Sequence, residues 1–427
     1  MSRRRHKGAL TGTVSVPGDK SISHRALILS ALAPGAGRIT GLNTGSDVLA
    51  TVTCLRRLGA ELQLNTANHK VEVKGFGRAA EPRDVLDAAN SGTTLRTLAG
   101  VCAGIPGMSV LTGDDTLRRR PMARIVEPLR AMGAVIDGRE GGTLPPLYIR
   151  GGKLHGIDHR SPIASAQVKT CLLLAGLSAA GPTSVTEPRP SRDHTERMLL
   201  AAGVPVAREG TMVTVPGGSL PEPRDWVVPG DLSSAFFLIA AAVLVPGSDL
   251  TITGVGLNPT RVGALAVLRA MGADIDWAVD AEEVEPSGTV TVRHSTLTAT
   301  TIEAVSIPGL LDEVPALALL ATQAEGTTEF AGIAELRVKE SDRIATMTAG
   351  LRALGAHVDA EGDVLRVTGP APLSGGTVDS QGDHRIALSF AVAALIADSD
   401  VRITGWSAVE TSFPEFLDLL AGARRKR

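Results

Sequence analysis

Aromatic residues are scarce: seven Phe, three Trp and one Tyr in 427 positions. Surfaces that read nucleic acid by stacking bases need more, so that class of function is excluded as the main one. Charge of one sign is lacking too. Forty-three Lys and Arg stand against forty-five Asp and Glu, a formal net charge of −2, which denies the chain a general basic coat. The cysteines are three, Cys54, Cys102 and Cys171, far apart and without paired spacing. They read as small core residues of a reducing compartment, not as a metal or redox motif. Long hydrophobic runs are also missing. The longest, Ala235 to Val245, has eleven residues, too few to cross a bilayer. No apolar stretch follows Arg3-Arg4-Arg5-His6-Lys7, so no secretory signal is expected. Both basic ends, including Arg424-Arg425-Lys426-Arg427, read as solvated tails of a soluble, cytoplasmic protein. The nine histidines are scattered without ligand spacing, so no metal site is expected. Neither a Walker loop nor a glycine fingerprint after a strand is present, which removes the common nucleotide sites.

Glycine and small apolar residues are abundant. Glycine occurs 47 times and hydrophobic residues make up 43% of the chain, enough for large cores with closely packed elements. A repeat organises them. Leu55-Arg-Arg-Leu-Gly-Ala60 returns as Leu129-Arg-Ala-Met-Gly-Ala134, Leu268-Arg-Ala-Met-Gly-Ala273 and Leu351-Arg-Ala-Leu-Gly-Ala356, with degenerate copies at Leu199–Val204 and Leu419–Gly422. The glycines at 59, 133, 203, 272, 355 and 422 are 67 to 83 residues apart. Each copy reads as the end of a one-sided helix, shown by the stripe Ile344, Met347, Leu351, Leu354, with glycine as its C-cap signal. Short strands flank it, as in Leu250-Thr251-Ile252-Thr253 and Ala134-Val135-Ile136-Asp137. A different helix opens each unit. Ala235–Val245 and the run from Ile386 are apolar all round and so must be buried on every side. Units of about seventy residues built on such helices must share cores, most naturally three to a domain.

Every buried helix begins with polar residues. The first is Val16-Pro17-Gly18-Asp19-Lys20-Ser21-Ile22-Ser23-His24-Arg25; the others begin at Asn90-Ser91-Gly92-Thr93-Thr94, Ser165-Ala166-Gln167, Asp231-Leu232-Ser233-Ser234, Asp312-Glu313 and Gln381-Gly382-Asp383-His384-Arg385. Taken singly, each is ordinary capping by Ser, Asp or Asn. Six in register on a repeat imply more, because unpaired N–H groups and the helix dipole favour anions there. Arg118-Arg119-Arg120, Arg192 and Arg337-Val338-Lys339-Glu340-Ser341-Asp342-Arg343 follow equivalent strands. Arginine forks and lysine point charges suit phosphate and carboxylate, so a site for small polyanions is expected. Asp312, Glu340 and Lys20 are the candidates for proton transfer.

These motifs resemble those of the 5-enolpyruvylshikimate-3-phosphate synthase family. The likeness lies in the Asp19–Arg25 segment, Asn90-Ser-Gly-Thr-Thr-Leu-Arg96, Arg119-Arg-Pro-Met122, Ser165-Ala-Gln-Val-Lys169, Leu336-Arg-Val-Lys-Glu-Ser-Asp-Arg343 and Gly382-Asp-His-Arg385. It runs in order from about Gly8 to Leu420. The resemblance implies a two-domain inside-out α/β barrel, each domain three βαβαββ repeats with buried parallel helices. The expected domains are 1–19 plus 230–427 and 20–229, with the active site in the cleft between them. It also implies enolpyruvyl transfer from phosphoenolpyruvate to the 5-hydroxyl of shikimate 3-phosphate, by addition and elimination through a tetrahedral adduct and without cofactor.

Carried over by motif, Lys20, Ser21, Arg25, Ser165, Gln167, Arg192, Asp312 and Lys339 would hold shikimate 3-phosphate. Lys20, Gly92, Arg120, Gln167, Arg343 and Arg385 would hold phosphoenolpyruvate. Asp312 would take the hydroxyl proton, with Glu340 and Lys20 handling protons at the methylene and bridging oxygen. Departures exist. Thr411 stands where some branches have lysine, Ala166 where they have a second serine and Glu335 where they have asparagine, a pattern resembling the second class of the family. Gly92, in contrast, resembles the branches sensitive to glyphosate, the family's inhibitor. The alternatives are the sister transferase acting on UDP-N-acetylglucosamine, whose reactive loop cysteine is missing between Gly113 and Pro121, and a non-catalytic phosphometabolite-binding protein. The expected partners are the two small substrates, with neither nucleic acid nor membrane, and the expected state is a monomer.

Overall fold

The computed structural model describes residues 8–423, so the basic segments read above as solvated tails lie outside the described residues. The chain divides into two units, at Pro17/Gly18 and again at Val228/Pro229; the first and last parts together make one of them.

The unit Gly18–Val228 contains six helices of eight or more residues, α1 (Lys20–Leu32), α2 (Ser46–Arg57), α3 (Gly92–Ala103), α4 (Ala123–Ala131), α5 (Ala166–Gly176) and α6 (His194–Ala201). Helices α1, α3 and α5 are buried nearly all round, as their unbroken apolar bodies require. Between α3 and α5 the backbones touch: a Cβ at Gly100 would lie 2.0 Å from the Cys171 carbonyl oxygen, so only glycine fits. Three four-stranded sheets surround these helices. Each joins one parallel pair to an antiparallel hairpin: Trp226–Val227 beside Ala36–Thr40, Leu86–Asp87 beside Gly107–Thr112, and Asp158–Arg160 beside Thr183–Thr186. The strand Lys70–Lys74 turns Val71 and Val73 inward and leaves Lys70, Glu72 and Lys74 in water, the alternation of a sheet wet on one face.

The other unit repeats this plan with α7 (Leu232–Leu244), α8 (Gly263–Ala270), α9 (Val314–Ala321), α10 (Arg343–Ala353), α11 (His384–Ile396) and α12 (Phe416–Gly422). Every residue of α7 is buried. Two sheets keep the parallel pair and hairpin, and the third is the parallel pair Gly376–Asp379 with Val401–Thr404. Phe413 and Phe416 meet edge to face at 5.5 Å, and Phe416 meets Phe237 at 6.4 Å, a concentration of the few aromatics in one core.

Each unit completes its first repeat with a strand from the far side of the crossover. Thr11–Ser15 pairs in parallel with Asp249–Gly256, and Trp226–Val227 pairs with Ala36–Thr40. This is the inside-out α/β class, with helices within and sheets without. No sheet among the described residues closes on itself, so the term barrel describes no strand closure here. The repeat glycines 59, 133, 203, 272 and 355 have positive φ, as a C-cap signal requires. Gly422 differs. It is the last residue of α12 and not a left-handed cap beyond it.

Candidate active site

Capping and chemistry coincide at the buried-helix starts. Asp19, Ser91, Ser165, Asp231 and Asp383 each accept a backbone N–H of the first turn, the capping role that the sequence suggests. Only α9 departs. It begins Val314-Pro315 with no side-chain cap bond.

In the unit Gly18–Val228, Lys20 opens α1 and its Nζ lies 3.0 Å from Asp47 Oδ2 at the start of α2. Ser21 follows, its hydroxyl without a hydrogen bond to any described residue and its carbonyl accepting from Arg25 Nη1 at 2.9 Å. Arg25 is 4% exposed; its Nε donates to Thr195 Oγ1 at 2.7 Å and its Nη2 to Thr170 Oγ1 at 2.8 Å. It is thereby fixed against α5 through Thr170, the residue after Lys169, and against α6 through Thr195, three residues after Arg192. Ser165 caps α5, and its N–H donates to Glu187 Oε1 at 2.7 Å. Gln167 spans two helices, accepting from Arg96 Nη1 at 2.6 Å and donating to Thr93 Oγ1 at 2.9 Å. One amide N–H and one lone pair then remain to it. Gly92 is the first residue of α3, and a Cβ there would meet Arg120 Nη1 at 2.8 Å and Arg96 Nη1 at 3.2 Å. Two guanidinium groups thus lie over one helix N-terminus. Backbone N–H groups, helix dipole and charge there all suit an anion.

His24 has a structural role. Its Nδ1 is 2.7 Å from Thr51 Oγ1, which is 2.6 Å from Thr94 Oγ1, a chain tying α1, α2 and α3. Burial, with Lys20 and Arg25 beside it, holds its pKa well below the ordinary value, so the ring is neutral.

The other unit gathers carboxylates with cations. Arg343 is the hub: its Nε donates to Asp383 Oδ2 at 2.7 Å, its Nη2 to Glu340 Oε2 at 2.6 Å, and its Nη1 to Asp312 Oδ1 at 3.3 Å. Nη2 also reaches Asp383 Oδ1 at 3.4 Å, so four of five N–H groups are committed. Burial alone would lower the Arg343 pKa, but Asp383, Glu340 and Asp312 outweigh it and raise it. Asp312 is shared, its Oδ2 lying 3.3 Å from Arg385 Nη2. Lys339, 21% exposed, lies 3.6 Å from Glu335. Desolvation takes its pKa from 10.5 to about 8, the carboxylates of Glu335, Asp312 and Glu340 only partly opposing it. Behind Asp312, Glu313 is buried and accepts from Ser233 Oγ, which also receives Arg261 Nη2 at 2.7 Å. This network anchors the start of α9, which lacks a cap of its own.

Each unit therefore brings its own candidates together: Lys20, Ser21, Arg25, Gly92, Arg120, Ser165 and Gln167 in one, Asp312, Lys339, Glu340, Arg343 and Arg385 in the other. Asp47, Glu187 and Arg261 were missed by sequence reasoning, and Asp383 was read only as part of a helix start. The signal for Asp383 was a cap position two residues before Arg385; the others carry no local mark.

Helix starts loaded with arginine, lysine and carboxylate on βαβαββ repeats define a class of α/β enzymes working on small anionic substrates. The sequence profile of the family described as EPSP synthase (3-phosphoshikimate 1-carboxyvinyltransferase) matches residues 5–420. A protein of Pelotomaculum thermopropionicum named 3-phosphoshikimate 1-carboxyvinyltransferase is 52% identical over 417 residues, 96% of each chain. One of the same name from Bacillus licheniformis is 47% identical over 412 residues, again 96% of each. The solved EPSP synthase of Acinetobacter baumannii is 41% identical, with a TM-score of 0.88 over 99% of this chain and 98% of that one. The chain belongs to the EPSP synthase family.

Proposed function

We infer that this chain transfers the enolpyruvyl group of phosphoenolpyruvate to the 5-hydroxyl of shikimate 3-phosphate and releases phosphate. The observation that carries the reading is Asp312 held between Arg343 and Arg385 in a chain of this family. In the addition, the hydroxyl oxygen bonds to C2 of phosphoenolpyruvate as it loses its proton, and C3 gains a proton to become a methyl group. In the elimination, the methyl group gives a proton back, the double bond returns, and the C2–O bond to phosphate breaks. No cofactor enters this scheme.

Lys20, Ser21, Arg25, Ser165, Gln167, Arg192, Asp312 and Lys339 hold shikimate 3-phosphate in this reading. Lys20, Gly92, Arg120, Gln167, Arg343 and Arg385 hold phosphoenolpyruvate. Asp312 takes the hydroxyl proton. Its two guanidinium neighbours keep it ionised yet weaken it as a base, and an anionic ligand on Arg385 relieves that weakening. Glu340 and Lys20 serve the methylene and the bridging oxygen. Two polyanions repel each other, so cations fixed beforehand lower the cost of bringing them together.

The reaction is placed in the cytoplasm and assigned to a monomer, since one chain carries both residue sets. No described helix is long and apolar enough to cross a membrane. Phosphate release from phosphoenolpyruvate tests the function. Release that requires shikimate 3-phosphate is expected; release with UDP-N-acetylglucosamine in its place, and none with shikimate 3-phosphate, overturns it.

A further inference from the structure

The helices α1, α3 and α5 have a second end. Where they finish, a cavity of about 600 Å³ opens within the unit Gly18–Val228, lined by Leu32 of α1, Val101 of α3, Leu174 of α5 and Leu177 just beyond it. Helix α1 has 13 residues, so at 1.5 Å per residue the cavity lies about 20 Å from Lys20 and Ser21. It is separate from the residues assigned to either substrate. The volume is that of a small-molecule site, and the walls are mostly apolar, as such sites are.

Its polar lining is selective. Arg78 and Lys153 both line the cavity, and no acidic residue does. Both cations are exposed, and neither has an ion pair with any described residue. They do not serve merely to neutralise the helix C-termini, because backbone donors already cover carbonyls there: Phe76 N–H donates to Ala31 O at 2.9 Å and Gly152 N–H to Ala103 O at 3.0 Å. An apolar chamber with cations and no acids suits a ligand with a hydrocarbon or aryl body and one anionic head. The body would displace water from Leu32, Leu174 and Leu177, and the head would meet the Arg78 fork and the Lys153 ammonium.

We propose that the cavity at the C-terminal ends of α1, α3 and α5 is a second ligand site, for a small apolar carboxylate held by Arg78 and Lys153.

The test uses the full-length protein and 4-phenylbutyrate as probe, with its neutral analogue 4-phenylbutan-1-ol, followed by saturation-transfer NMR and calorimetry. Excess shikimate 3-phosphate together with glyphosate keeps the probe off both sets of substrate residues. Saturable binding of the carboxylate that persists under this condition is expected. Binding should fall about five- to tenfold in Arg78→Glu/Lys153→Glu, where surface charges are reversed, and vanish in Ala180→Trp, which fills the chamber. Should Ala180→Trp fail to fold, Leu220→Trp, likewise at an exposed position lining the cavity, gives the same reading. Displacement of the probe by shikimate 3-phosphate, equal binding of the alcohol, or undiminished binding in the filled variant would each overturn the proposal.

Discussion

Lys169 offers a sharp test of what holds the α5 start. Its Nζ lies 2.9 Å from Glu187 Oε2 and 2.7 Å from Glu196 Oε1, and all three side chains are 2–3% exposed. Glu187 in turn accepts the Ser165 N–H at 2.7 Å and the Ser191 hydroxyl at 2.8 Å. Lys169→Met keeps the volume and removes the one cation between two buried carboxylates. Breaking a buried pair on one side costs about 3–5 kcal/mol, because the remaining charge loses its partner while staying out of water. Against the roughly 5–15 kcal/mol that stabilises a domain, this is a large fraction. The melting temperature should fall by roughly 6–20 °C for a unit of this size. Calorimetry and guanidinium unfolding at pH 7 measure it, and 0.5 M salt should recover little, since buried pairs are screened weakly. The triple change Lys169→Met/Glu187→Gln/Glu196→Gln removes every charge while leaving an acceptor for Ser165, so most of the loss should return. A cost under about 1 kcal/mol for the single variant, or a triple variant no better than the single, refutes the reasoning. Catalysis should follow the anchor: the KM for shikimate 3-phosphate rises more than that for phosphoenolpyruvate.

Three further outcomes are expected. Gly92→Ala pushes on Arg120, whose Nη1 would be 2.8 Å from the new Cβ; steady-state kinetics should show a raised KM for phosphoenolpyruvate and a larger rise in the inhibition constant of glyphosate, and unchanged inhibition refutes the placement. Lys339, with its pKa lowered by burial from 10.5 to about 8, loses its charge as pH rises past 8. Then kcat/KM for shikimate 3-phosphate should fall above pH 8, while folding stability rises between about 8 and 10.5, where the unfolded chain binds the extra proton; Lys339→Arg should abolish that limb of the rate profile. Asp312→Asn keeps polar contacts to Arg343 and Arg385 but removes the base, and kcat should drop by roughly 10²–10⁴ with KM little changed; a drop under tenfold takes Asp312 out of the proton path.

The parts of this molecule legible in its sequence are those written locally. The all-apolar bodies of α7 and α11, the Ile344-to-Leu354 stripe and the polar starts follow from periodicity and capping, which act over one or two turns. The first strands of the two units were not legible from the repeat count: Thr11–Ser15 and Trp226–Val227 are borrowed across the crossover, and only the family resemblance implied a crossing. Partners in ion pairs and long-range hydrogen bonds were the least visible. Arg343 finds Asp383 40 residues on, Lys20 finds Asp47 27 residues on, and Ser165 finds Glu187 22 residues on. No local pattern marks such partners, because the topology, not the neighbourhood, brings them together.

That topology divides the chemistry between the two units. In Gly18–Val228, Arg25 is oriented by threonine hydroxyls and the Ser21 carbonyl, and Arg96 by Gln167 and the Pro121 carbonyl. Neutral acceptors fix a guanidinium without themselves cancelling its charge. In the other unit Arg343 is oriented by three carboxylates, and four of its N–H groups are spent on them. An arginine so occupied has one N–H group left for a ligand, and its other bonds hold Asp312, Glu340 and Asp383 in fixed positions. Substituting Arg25 should therefore weaken binding, whereas substituting Arg343 should also release Asp312 and Glu340 and so lower turnover. The same residue type, placed on the same repeat, is anchored by neutral oxygens in Arg25 and by carboxylates in Arg343, so the loss of each should be felt differently.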